Sequence, residues 1–146
     1  MFHKILLPSD GSDLCVRAIE YGLQLAKLHG AMVIGFHAMP EYKLIPYEGW
    51  VPDPVTVERF EEGPKLRAQQ ILQQIEAAAT AAGVPCELAS GSSDHPWDAI
   101  VQAATERGCD LIVMASHGRR GLVGWLLGSE TTKVLTHTNI PVLVYR

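Results

Sequence analysis

Residues 4–38 read KILLPSDGSDLCVRAIEYGLQLAKLHGAMVIGFHA and spell out a complete strand–helix–strand unit. Lys4–Leu7 is a short apolar run closed by Pro8, as a strand buried on both faces requires. Ser12 is placed to cap a helix. Behind it Cys15, Ala18, Ile19, Gly22 and Ala26 recur at three- and four-residue spacing, and the pattern ends at His29-Gly30, a basic last turn followed by a glycine stop. Ala31–Ala38 is then a second apolar run.

The same alternation continues along the chain. Leu111–Ala115 and Pro141–Tyr145 are further strand runs, and Pro85–Ala89 is a weaker one after Gly83. Ala68, Leu72, Ile75, Ala79 and Ala82 trace a helical stripe before Gly83; Trp97, Ile100, Val101 and Ala104 trace another before Gly108. A fourth helix is expected to start near Ser129 and stop before Pro141. Strands alternating with helices of this length predict an α/β fold, a doubly wound parallel sheet with helices on both faces. Pro40, Pro46, Pro52, Pro54, Pro64 and Gly49 make the first half of 40–64 read as an irregular excursion, the usual place for a lid or an interface. With no repeat or linker in view, residues 1–146 are expected to form a single domain.

Composition narrows the function classes. Of 146 residues 47% are hydrophobic and 19% charged, which fits a folded globule rather than a disordered chain. A net charge of −4 opposes adhesion to nucleic acid or anionic membranes, so neither is an expected partner. Cys15, Cys86 and Cys109 are far apart and form no C-x-x-C pair, which argues against a disulfide framework or a zinc knuckle and suits a reducing compartment. The start of the chain lacks a signal-peptide core; a cytoplasmic location is the expectation. The histidines show no i,i+4 pair, so no dedicated metal site is expected.

In an open parallel sheet, ligands bind beyond the carboxyl ends of the strands. That directs attention to Pro8–Ser12, to His37–Pro40 and above all to Ala115–Ser129, where four glycines fall within eleven residues just before a helix. Glycines let backbone N–H groups approach an anion, and a helix start adds unpaired donors and a positive dipole end; Ser129, Thr131 and Thr132 add hydroxyls. The alternative is that the glycines only turn a corner and Ser129 only caps a helix. A Walker A loop is excluded because Gly128 is followed by Ser129-Glu130 without a lysine, and a dinucleotide fingerprint because Gly11 stands alone after the first strand. Ser9, Ser12 and Ser129 lack the nucleophile elbow of serine hydrolases. Ser92-Ser93-Asp94 before Pro96 reads as a helix cap, which leaves His95 a structural rather than an acid–base role.

Ile5-Leu6-Leu7-Pro8-Ser9-Asp10-Gly11-Ser12, Val113-Met114-Ala115-Ser116-His117-Gly118, the nine residues between Gly118 and Gly128-Ser129, and the closing Asn139-Ile140-Pro141-Val142-Leu143-Val144-Tyr145 together resemble the universal stress protein family over nearly the whole chain. The resemblance implies a five-stranded sheet in the order 3-2-1-4-5, a homodimer, and, in one branch, an ATP site marked G-x-x-G-(nine residues)-G-[ST]. Ala115 stands where that motif has its first glycine. On this resemblance Asp10 is the carboxylate near the nucleoside, Pro8 and Ala38 line the adenine with Ser9, Met114 and Ala115 beside them, Gly118, Gly128, Ser129 and Thr131 hold the phosphates, and His117 flanks them. Arg119 and Arg120 either pair with a γ-phosphate or solvate the loop, and Glu130 should point away from a bound phosphate. Val142–Tyr145, an apolar edge at the chain end, is the expected dimer contact.

The function expected is a cytoplasmic stress-response regulator binding ATP, ADP or AMP, with Mg²⁺ as a possible companion and a protein partner that the residues do not name. No residue is an obvious general base, so any ATPase or self-phosphorylation should be slow. The alternative from another class is a nucleotide-free dimeric interaction module in which Ala115 marks a lost site. A flavoprotein-like electron-transfer domain shares the fold class and predicts a yellow protein.

Overall fold

The computed structural model describes residues 1–146 apart from Tyr42, Tyr47 and 119–126. Five strands, β1 (Lys4–Pro8), β2 (Met32–Pro40), β3 (Cys86–Ser93), β4 (Leu111–Ala115) and β5 (Val142–Tyr145), form one all-parallel sheet in the order β3-β2-β1-β4-β5. Four helices connect them: α1 (Asp13–His29), α2 (Pro54–Ala82), α3 (Pro96–Glu106) and α4 (Ser129–His137).

The two-residue period of a strand divides the core. Ile5 and Leu7 join Ile19, Leu23, Ile71 and Ile75 on the α1–α2 face, while Leu6 joins Phe36, Ile100, Ala104 and Val134 on the α3–α4 face. Ile5, Leu6 and Leu7 are all fully buried, which is why β1 reads as continuous rather than alternating apolar sequence. The predicted ends of α1 are met chemically: Ser12 Oγ accepts from the Cys15 N–H, and Gly30 stops the helix at φ 66°.

Three segments differ from the sequence reading. β3 runs on to Ser93, because β2 continues to Pro40 and pairs Ala38, Met39 and Pro40 with Gly91, Ser92 and Ser93. α2 begins at Pro54, far upstream of its apolar stripe, and carries Pro64 inside it. Asp53 caps this start, accepting from Thr56 N–H at 2.9 Å, and Pro54 occupies the first turn where its missing N–H does no harm. Only Ala68, Ile71, Ile75 and Ala79 of α2 are buried, so its upstream half leaves no core signature. The excursion expected in the first half of 40–64 is borne out, since α2 takes up the second half from Pro54. The third difference is the start of α3: Ser92 and Ser93 belong to β3, His95 is the N-cap residue, and no side chain of the expected Ser92-Ser93-Asp94 cap bonds to the first turn.

Candidate functional site

The chain order reverses between β1 and β4, since β1 leads outward to β2 and β3 while β4 leads to β5 on the other side. That switch point opens at the carboxyl ends of the strands, where the loop after β1 meets Gly118 beyond β4.

The loop after β1 is held from four directions. Ser9 N–H donates to the Phe36 carbonyl at 2.9 Å, and the Ser9 carbonyl accepts from Nδ1 of buried His37 at 2.8 Å. Ser9 Oγ accepts from Gly11 N–H, and Asp10 Oδ1 accepts from Ser12 N–H at 2.9 Å, closing an Asx turn. Gly11 sits at φ +80°, where a side chain would be strained and would also press on Ile71 of α2. The Asp10 carbonyl accepts from Arg67 Nη2 at 3.0 Å. With its backbone pinned, the Asp10 carboxylate reaches across the switch point and lies directly against Gly118, leaving no room there for a Cβ.

Opposite stands the start of α4. Thr131, 2% exposed, donates its hydroxyl hydrogen to the Ala115 and Ser116 carbonyls at 3.0 and 3.1 Å, tying α4 to the end of β4. Gly128 is the N-cap residue and so supplies no side-chain cap to the first-turn amides of Ser129, Glu130 and Thr131. Its own N–H donates to the Ser116 carbonyl at 2.8 Å, and an added Cβ would stand 3.2 Å from His117 Cα. Neither Gly118 nor Gly128 has positive φ; both are required by close approach rather than by handedness.

The remaining expected residues fall as follows. Pro8 ends β1 buried, paired with Phe36, and Ala38 lies half-buried on β2. Met114 is 6% exposed in the core cluster with Val134 and Ile100 rather than at the surface of the crevice. The Ala115 methyl packs with Cys15 and Ala18 under α1, away from α4. His117 is half-buried with Nδ1 3.1 Å from Ser116 Oγ, and Ser129 is exposed at the first position of α4. Glu130 turns to α3 and accepts from Trp97 N–H at 2.8 Å, supplying from 33 residues away the cap that α3 lacks locally. Arg119 and Arg120 lie outside the described residues.

Two residues to which the sequence reading gives no role hold the loop: His37, within the stretch marked for inspection, and Arg67, outside every such stretch. His37 carried a legible signal, a polar ring at the end of an apolar run; Arg67 carried none, being 57 residues from its acceptor. Burial pushes the thiol of neighbouring Cys15 above its ordinary value, so it stays protonated near neutral pH. A cavity of about 390 Å³ lies elsewhere, between the ends of β2 and β3 and the first half of α2, walled by Met39, Pro40, Phe60 and Pro64. Asp10, Gly118, Gly128 and Ser129 do not line it, whereas Glu41 and Lys43, which follow β2, do.

These features define a doubly wound α/β protein whose strand order switches between β1 and β4. The chain belongs to the universal stress protein family, whose profile matches residues 1–146. The universal stress protein of Thermus aquaticus encoded in the QAH/OAS sulfhydrylase 3′ region is 37% identical over 146 residues, covering all of both chains. Among solved structures, MJ0577 of Methanocaldococcus jannaschii is 30% identical with a TM-score of 0.79, over 99% of this chain and 96% of that one. A universal stress protein solved in complex with cAMP is 26% identical with a TM-score of 0.74, over 99% and 97%.

Proposed function

We propose that this chain binds an adenine nucleotide in the crevice between the loops after β1, β2 and β4, and acts as a nucleotide-dependent regulator in the cytoplasm rather than as a fast enzyme. The observation that carries the reading is the placement of Asp10: its carboxylate is held at the switch point, against Gly118 and across from an α4 start that has no side-chain cap. A carboxylate there is suited to ribose hydroxyls, and the first-turn amides of α4 are suited to a phosphate. The relative in complex with cAMP supports the choice of base.

The residues present fit such a ligand. Pro8 and Ala38 would flank the base, Asp10 would accept from the ribose, and the Ser129 hydroxyl with the α4 amides would hold phosphate. Gly128 contributes its lack of a side chain, its N–H being engaged, and Thr131 fixes the helix rather than donating. Among the described residues no group of three or more His, Cys, Asp or Glu is arranged for a metal, so Mg²⁺ would arrive with the phosphates of ATP. The packing of the Ala115 methyl under α1 supports keeping the nucleotide reading despite this departure from the motif. The half-buried edge strand β5 is the proposed contact with a second copy of the chain.

Thermal unfolding with AMP, ADP, or ATP and Mg²⁺ tests the reading. A ligand at a hundredfold excess over its Kd stabilises the folded state by about 2.7 kcal/mol, roughly 5–10 °C for a chain of this size. No shift with any of them at millimolar concentration refutes nucleotide binding.

A further inference from the structure

Arg67 joins the crevice from an element that the strand ends do not supply. It lies on α2 just above the first buried residue of that helix, Ala68, half-buried itself, and its Nη2 donates to the Asp10 carbonyl at 3.0 Å. The carbonyl belongs to the Asp10–Gly11 peptide. The same peptide donates its Gly11 N–H to Ser9 Oγ within the loop, and a Cβ added at Gly11 would meet Ile71 one turn further along α2. The Asp10 side chain, in turn, bonds to Ser12 N–H on one oxygen and lies against Gly118 on the other. This peptide leads to the Ser12 N–H that holds the carboxylate, so its orientation bears on the direction of the carboxylate; Ser9 Oγ holds the peptide from within the loop and a forked guanidinium on α2 holds it from outside.

We propose that Arg67 is a positioning residue for the nucleoside: by clamping the Asp10–Gly11 peptide it aims the Asp10 carboxylate at the ribose hydroxyls, and it couples α2 to occupancy of the crevice. This rests on the nucleotide reading above. Arg67 acts through Asp10 and does not touch the phosphates, so its contribution follows the ribose and not the charge of the ligand.

The test is Arg67→Met, which keeps the aliphatic stem and removes every donor, titrated calorimetrically beside the unsubstituted protein with adenosine, AMP and 2′,3′-dideoxyadenosine. Adenosine and AMP should weaken by the same factor, roughly three- to tenfold, the scale of one hydrogen bond. The dideoxy ligand, lacking the hydroxyls, should stay within about twofold. An equal loss on all three makes Arg67 merely structural; a loss confined to AMP makes it a simple charge acting on phosphate; no loss on any leaves it idle. Each of these overturns the proposal while the nucleotide reading stands. Failure of the unsubstituted protein to bind any of the three overturns both.

Discussion

Gly118→Ala isolates the feature on which the crevice depends. The backbone of Gly118 is not left-handed, so alanine meets no conformational penalty and should gain about 0.4–1 kcal/mol by restricting the unfolded chain. Against this, its methyl would occupy the space of the Asp10 carboxylate, which must swing away and give up the 2.9 Å hydrogen bond from Ser12 N–H. A bond to a charged acceptor at a half-buried site contributes about 1.5–3 kcal/mol. The difference is a net loss of about 1–2 kcal/mol, or roughly 2–8 °C in Tm. Asp10→Ala supplies the control: with no carboxylate to strike, Gly118→Ala in that background should be neutral or slightly stabilising. Scanning calorimetry of the four proteins, with and without adenosine, completes the cycle, and adenosine affinity should fall as far in Gly118→Ala as in Asp10→Ala. If Gly118→Ala melts at or above the unsubstituted protein and keeps its adenosine affinity, or if its cost is the same without the Asp10 carboxylate, the two groups do not compete for one space and the crevice geometry is wrong.

Two further substitutions probe contacts outside the crevice. Glu130→Ala removes the carboxylate that caps α3 through Trp97 N–H at 2.8 Å, and should cost about 0.5–2 kcal/mol in a ligand-free melt; an unchanged Tm would show that the carboxylate has no capping role. Asp110 latches the chain start, accepting from His3 N–H at 2.8 Å and Lys4 N–H at 3.0 Å. Slight burial pushes its carboxyl upward, but these hydrogen bonds outweigh it and hold the group below its ordinary 3.8. The carboxylate thus contributes its full stability above that pH and loses it as acid protonates the native state, so the Tm deficit of Asp110→Asn should be largest near neutral pH and shrink below about pH 4. A deficit that stays constant on acidification would refute the assignment.

What could be read in the sequence followed the range of the interactions. β1, α1 and β2 were legible because their causes are local: fully buried runs, Ser12 capping three residues ahead, Gly30 at a left-handed stop. The expected β3 stops short because Ser90, Gly91, Ser92 and Ser93 carry no strand propensity of their own; pairing with the long β2 places them, and Gly91 packs beneath Phe36, where an added Cβ would crowd the ring at 3.1 Å. The first half of α2 was illegible for the converse reason. It is capped by Asp53 and supported by a Glu61–Lys65 pair at 3.1 Å, yet it buries nothing and its Pro64 reads as a break. At the candidate site, Gly118 and Gly128 stand out by their spacing in the glycine cluster and Asp10 by the family resemblance, whereas Arg67 and the true cap of α3 depend on partners 57 and 33 residues away.

The departure at Ala115 shows how a motif should be weighed position by position. The period of β4 sends the Ala115 methyl to the face where Cys15 and Ala18 of α1 pack, while its carbonyl accepts from Thr131 on the opposite side. A methyl group at that position is accommodated in the helix–sheet packing beneath α1. Gly118 and Gly128 differ in kind, because a Cβ at either would meet the Asp10 carboxylate or the His117 backbone. A methyl group at the first motif position and a methyl group at the second are thus unequal perturbations: one fills an existing contact beneath α1, and the other displaces the carboxylate that faces the crevice. The two glycines that the chain retains are the two whose replacement would disturb the proposed binding surface.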